Sequence, residues 1–176
     1  FEFELLKSKL LSQGMQTLYD RRKINSLYYD TSSFGMFIDS EEGVLPRKKL
    51  RIRWYRSFSE ANIETKISSI EGRFKNTIPR KFLSIESFPR NILDKNYGIL
   101  SPSLLVSYHR EYFLLDGMRM TFDSSIKYIN YRNLPHTEFE DKELVMEIKT
   151  SIYTPDDYIE TIIPYATTRF SKYSRG

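Results

Sequence analysis

Lys49-Leu50-Arg51-Ile52-Arg53-Trp54-Tyr55 alternates cationic and apolar residues without a break. Successive side chains of a β-strand point to opposite faces. Lys49, Arg51 and Arg53 therefore share one face, and Leu50, Ile52 and Trp54 share the other. Side chains on one strand face stand about 7 Å apart. Three cations in such a row repel one another and call for solvent or an anion.

The same alternation continues on both sides of this stretch. Ile63 to Ile67 alternates, and Arg73 to Ile78 can pair with it across Ser68-Ser69-Ile70-Glu71-Gly72. Leu104 to Leu115 and Met118 to Ile129 are two long arms around Asp116-Gly117, a dipeptide suited to a two-residue hairpin turn. Ile24 to Tyr29 and Leu144 to Thr150 are further strands, and Asp30-Thr31-Ser32-Ser33 favours a turn. Helical spacing predicts a helix over Glu4 to Tyr19 and, more weakly, one between Pro79 and Pro102. Asp20-Arg21-Arg22-Lys23 reads as a polar connector, and Ser40 to Pro46 as a loop. Thr154-Pro155-Asp156-Asp157 opens a short helix that Pro164 ends. No repeat or linker interrupts the chain. The fold expected is mainly antiparallel β with flanking helices (α+β), as one domain over residues 1–176.

Composition narrows the chemistry. The chain has 176 residues, 40% of them hydrophobic and 15% aromatic, enough to bury a core. Without cysteine there is no disulfide, thiolate metal site or cysteine nucleophile. Two histidines, His109 and His136, leave little room for a histidine metal cluster or a Ser–His–Asp triad. No apolar run approaches the roughly 20 residues of a membrane-spanning helix. Phe1 is followed by no charged-then-apolar leader, so no secretory signal is expected, and the start without Met reads as a trimmed terminus. A cytoplasmic location is the expectation. The net charge of +4 is modest, and what matters is whether the cations are ordered.

They are ordered strand by strand. Glu64 and Lys66 oppose Ile63, Thr65 and Ile67; Tyr108, Arg110 and Tyr112 share a face, which His109 does not. Arg119, Thr121 and Asp123 oppose Met118, Met120 and Phe122; Glu147 and Lys149 oppose Met146 and Ile148. An ordinary solvated outer face would produce some of this. The heavy use of Arg, suited to bidentate phosphate or carboxylate recognition, points further, to a face for a polyanion. The sparse acids suit a hard divalent metal or the orientation of cations, with Asp123 read as the partner of an Arg. A closed antiparallel barrel with a polar interior and helices outside accommodates the whole pattern.

Several segments resemble the VTC domain, the polyphosphate-polymerase domain of the vacuolar transporter chaperone complex and its bacterial relatives. They are Tyr28-Tyr29-Asp30-Thr31, Arg47 to Tyr55, Glu64-Thr65-Lys66, Ser107 to Phe113, Arg119 to Asp123, Glu147-Ile148-Lys149 and Ser171-Lys172-Tyr173-Ser174. They occur in order from about Tyr28 to Gly176. The resemblance implies a triphosphate tunnel metalloenzyme of the CYTH-like superfamily, a closed eight-stranded barrel that binds triphosphate and Mn²⁺ or Mg²⁺. It assigns phosphate binding to Lys49, Arg51, Arg53, Lys66, Lys75, Tyr108, Lys149 and Ser171. It gives catalytic roles to Arg110, Arg119 and Lys172, and metal binding to Glu147. Tunnel enzymes open with alternating glutamates and a lysine on the first strand. Here Glu2 and Glu4 remain, but the nearest lysine, Lys7, is one residue out of step.

The activity implied is transfer of the ATP γ-phosphoryl group to a polyphosphate chain. Hydrolysis of tripolyphosphate or nucleoside triphosphate on the same scaffold, or polyphosphate binding without catalysis, are the alternatives. ATP and inorganic polyphosphate or triphosphate are the expected partners. DNA is not, because the charge excess is small and the aromatics do not interleave with the cations as a base-stacking platform would.

Overall fold

The computed structural model describes residues 2–176, with side chains from residue 3 onward. Its frame is a nine-stranded antiparallel sheet. Helix α1 (Glu2–Ser12) precedes β1 (Gln16–Asp30), α2 (Gly35–Glu42) and β2 (Arg47–Trp54). The hairpin β3 (Ala61–Ser69) and β4 (Gly72–Arg80) follows, then β5 (Ile92–Asp94) and the long pair β6 (Gly98–Leu115) and β7 (Met118–Asn130). β8 (Thr137–Asp141), β9 (Val145–Lys149), α3 (Asp156–Ile162) and α4 (Lys172–Arg175) complete the chain. Strands run in the order β4-β3-β2-β1-β6-β7-β8, with β9 also on β7 and β5 on β6.

The sheet is not closed, which corrects the expectation of an eight-stranded barrel. β4 lies at one end, almost wholly exposed and, among the described residues, paired to β3 alone. At the other end the ladder on β7 splits, with β8 along Ile126–Asn130 and β9 along Arg119–Asp123. No ladder joins either piece to β4 among the described residues.

The opening of the chain also differs from expectation. α1 stops at Ser12, and residues 20–23 are strand, part of a β1 that extends back to Gln16. Pairing with β6 carries that polar segment, which has no apolar periodicity of its own. The segment aligned with a first tunnel strand is thus helix, and the side chain of Glu2 lies outside the described residues. Part of the expected 40–46 loop is α2, and the stretch between Pro79 and Pro102 holds a 3₁₀ turn, short β5 and the start of β6 where a helix was expected. β8, with its acidic sequence, went unforeseen.

Two apolar clusters cover one face of the sheet. Leu27, Tyr29, Leu50, Ile52 and Trp54 pack with Met36 of α2, Phe88 and Leu100. Leu10 of α1 and Ile163 pack on Met15, Phe113, Leu115, Met118, Met120 and Phe122. A third cluster (Ile24, Tyr28, Leu104, Val106, Tyr108, Ile126, Tyr128 and Tyr173) lies on the opposite, cationic face. β7 contributes to both sides through a phase change. Ser125 has φ 52°, and the β6–β7 register shifts beside it. The extra residue puts Ile126 and Tyr128 on the face that Asp123 occupies.

Candidate functional site: a cationic sheet face

The cationic face is built outward from β2. Arg51 Nε and Nη2 donate to Glu64 Oε2 at 2.8 and 2.5 Å, and its Nη1 donates to the Tyr28 hydroxyl at 2.9 Å. Arg53 reaches Ser26 Oγ at 3.2 Å and the Tyr108 hydroxyl at 3.4 Å. Lys75 Nζ donates to the other oxygen of Glu64 at 2.6 Å. Glu64 is buried between these cations. Burial pushes its carboxyl up, but Arg51 and Arg53, with the Lys75 and Arg51 hydrogen bonds, outweigh it and bring it down to about 2.

The same balance acts on Tyr28. Burial raises the phenol, yet Arg51, Arg53 and Lys66 lower it to about 8. Tyr108 goes the other way, up to about 12, because burial dominates there. Burial and the nearby Arg51 and Arg53 charges lower the Lys66 amine to about 8. Lys66 nonetheless keeps an exposed side. Burial likewise lowers Lys49, whose Nζ donates to Ser171 Oγ at 2.9 Å.

A second centre lies across β6 and β7. Arg110 forks onto both oxygens of Asp123 at 2.6 and 2.7 Å, and its Nη2 stands 3.4 Å from Glu147. Lys172 of α4 reaches the same Asp123 carboxylate at 2.6 Å and lies over the Tyr108 ring. Asp123 is fully buried and answers both cations. Glu147 is half-exposed, with Lys149 at 3.5 Å from its second oxygen. Partial burial raises its carboxyl, but the Arg110 and Lys149 charges outweigh that and keep it below the ordinary range.

The face sets cations directly opposite cations. Lys49 pairs in register with Lys66, Lys66 with Lys75, and Arg119 with Lys149. Like charges placed this way destabilise a sheet unless something neutralises them. The carboxylates Glu64, Asp123 and Glu147 are too few for the cations and are already engaged.

The structure therefore brings Lys49, Arg51, Arg53, Lys66, Lys75, Tyr108, Arg110, Glu147, Lys149, Ser171 and Lys172 onto one sheet face with α4. Arg119 shares this face but lies at its far end, exposed and without an ion pair among the described residues. His109 lies on the other face, and desolvation lowers its pKa. The sequence did not reveal the fastening of α4. Tyr173 stacks on Tyr28 at 4.8 Å and donates to the Asp30 carboxylate. Asp30, fully buried, accepts from the Thr31, Met36 and Phe37 amides and so fixes the approach to α2. The Tyr-Tyr-Asp-Thr segment marked the place, but nothing in it pointed to a partner more than a hundred residues away.

No three His, Cys, Asp or Glu side chains converge among the described residues. Mg²⁺-type ions commonly take one or two carboxylates and fill their shell with substrate phosphates and water. Glu147, ionised, half-exposed and only loosely paired, fits that smaller requirement.

No curated protein matches the chain. Among solved structures, the PH1012 protein from Pyrococcus horikoshii OT3 superposes with a TM-score of 0.52 at 14% identity, over 91% of this chain and 79% of that one. At that identity the likeness is one of fold. A family model described as VTC domain matches residues 3–99 and 91–176. With almost its whole length so matched, the chain belongs to the VTC domain family, which is associated with polyphosphate chemistry.

Proposed function

We propose that this chain is a metal-dependent polyphosphate polymerase that moves the γ-phosphoryl group of ATP onto a polyphosphate end. The observation that carries the reading is the facing of cation against cation across the β2–β3, β3–β4 and β7–β9 ladders. A condensed phosphate, with a charge on every unit, is the kind of ligand that relieves such rows. A terminal chain oxygen attacks the γ-phosphorus, the bond to the bridging oxygen breaks, and ADP leaves with the electron pair. Such transfer depends on positioning and charge stabilisation, and needs no covalent protein nucleophile.

In this reading Lys49, Arg51, Arg53, Lys66 and Lys75 grip non-bridging oxygens, aided by Tyr108, Lys149 and Ser171. Arg110 and Lys172, both oriented by Asp123, stabilise the transferring group. Arg119 meets the chain further along the face. Mn²⁺ or Mg²⁺, bound through Glu147, would supply charge neutralisation on phosphate oxygens.

Incubating the chain with ATP and Mn²⁺ and resolving the products on a gel tests the reaction. Long chains are expected, and Lys172→Ala and Glu147→Gln are each expected to reduce their yield at least tenfold, about 1.4 kcal/mol of barrier. Free phosphate without polymer would make the protein a hydrolase. Tripolyphosphate binding with neither product would leave a binding module. Failure to bind tripolyphosphate would overturn the proposal entirely.

A further inference from the structure

Arg22 belongs to none of the segments that resemble the family, and as part of a polar connector it would have no role. In the structure it lies within β1, directly opposite Arg110 in the β1–β6 register. Paired residues of an antiparallel ladder project to the same face, so Arg22 joins the cationic face beside the Asp123 centre. The register slips between Tyr19 and Arg22, and this irregularity sets the local phase of β1.

Its surroundings orient the guanidinium without neutralising it. Arg22 Cζ lies 5.2 Å from the Tyr19 ring centroid and 5.5 Å from that of Tyr112. The two rings meet edge to face at 5.7 Å, so they form a corner against which the guanidinium packs. Aromatic faces attract a cation but accept no strong hydrogen bond. Among the described residues no carboxylate lies within ion-pair distance of Arg22; Asp123 and Glu147 serve Arg110, and Glu111 pairs with Lys7 on the α1 side. An exposed, oriented arginine facing another arginine, its donor fork making no side-chain hydrogen bond among the described residues, is built for an anion.

We infer that Arg22, set by Tyr19 and Tyr112, is a further phosphate-binding residue that takes a unit of the polyphosphate chain on the β1 side of Arg110. The inference rests on the proposed function and lengthens the phosphate track by one position, away from β9.

Calorimetric binding of long-chain polyphosphate at several salt concentrations, by the parent chain, Arg22→Gln, Arg22→Lys and Arg21→Gln, tests it. Arg21 removes the same charge one residue away, where its side chain lies near Ser124 on the other face. Arg22→Gln is expected to weaken binding about tenfold, the worth of one charge-assisted contact. It should also flatten the salt dependence, because fewer counterions are released. Arg22→Lys should restore the salt dependence but only part of the affinity, and Arg21→Gln should bind as the parent does. Equal binding by Arg22→Gln and the parent, or equal losses at positions 21 and 22, would overturn the inference and leave the proposed function standing. A parent that binds neither tripolyphosphate nor the long chain would remove both.

Discussion

At the scale of single residues, Glu64 decides whether the centre of the cationic face can exist without ligand. It is buried and shared by Arg51, Arg53 and Lys75. Removing one partner of a buried ionic cluster leaves uncompensated charge, at a cost of about 3 kcal/mol. Glu64→Gln is therefore expected to lower the urea midpoint markedly, and tripolyphosphate should raise the midpoint more in the variant than in the parent. The pH dependence follows from the direction of the shift. A carboxyl brought from its ordinary 4.5 down to about 2 contributes stability that is fully present above about 4.5. That stability fades as the pH falls through the window down to about 2, and Glu64→Gln should abolish this part of the acid profile. Arg51 is subject to the same constraint. Truncating it would strand Glu64 and the Tyr28 hydroxyl, so loss of phosphate binding in Arg51→Ala would mix binding with stability. Lys66 and Arg119 are exposed and strand no buried partner among the described residues, so their removal relieves facing charge and loss of phosphate binding there is not a loss of stability.

Among the elements, α4 is the most dependent on the rest. Four residues cannot hold a helix by themselves, so this turn exists because its side chains are tied down. Tyr173 stacks on Tyr28 and bonds to Asp30, Lys172 bonds to Asp123, and Arg175 bonds to Asp141 and Glu143. Asp30 links this turn to α2, since the same carboxylate receives the Met36 and Phe37 amides. Asp30→Ala is expected to cost about 3 kcal/mol in chemical denaturation, from orphaned buried amides and a lost hydroxyl partner. Tyr173→Phe keeps the stacking and loses the hydroxyl alone, so about 1 kcal/mol is expected. If Lys172 acts in transfer only when Tyr173 anchors α4, Tyr173→Phe should also lower turnover while leaving tripolyphosphate affinity near that of the parent.

Across the whole molecule, stability should grade from the middle of the sheet to its ends. β1 and β6 are flanked on both sides; β1 carries buried residues of two apolar clusters and β6 of all three. β4 is an edge strand with Phe74 and Ile78 exposed. Amide hydrogen exchange should be slowest in β1 and β6 and fast along β4. Tripolyphosphate should slow exchange in β2, β3 and the 171–175 turn, which carry the facing cations and their nearest neighbours. Uniform exchange across the sheet, or protection confined to the opposite face, would contradict the assignment of the site to this face.

The strands around the quoted stretch were legible because their period is local: alternation at Lys49 to Trp54 and Met118 to Asp123 fixes which side chains share a face before any partner is known. The Asp116-Gly117 turn was legible for the same reason, both residues taking the positive φ its chemistry favours. Residues 16–23 were not, since their strand state comes from β6 and not from their own pattern. β8 was missed because its acids look like a loop until β7 pairs with them. For the site, the sequence determined which residue types line one face, since that depends on parity along a strand. Which cations meet, which carboxylates restrain them, that α4 rests on Tyr28 and Asp30, and that the sheet stays open were decided only by tertiary structure. Strand order, register and bulge position bring together residues far apart in the chain, and no local periodicity encodes those distances.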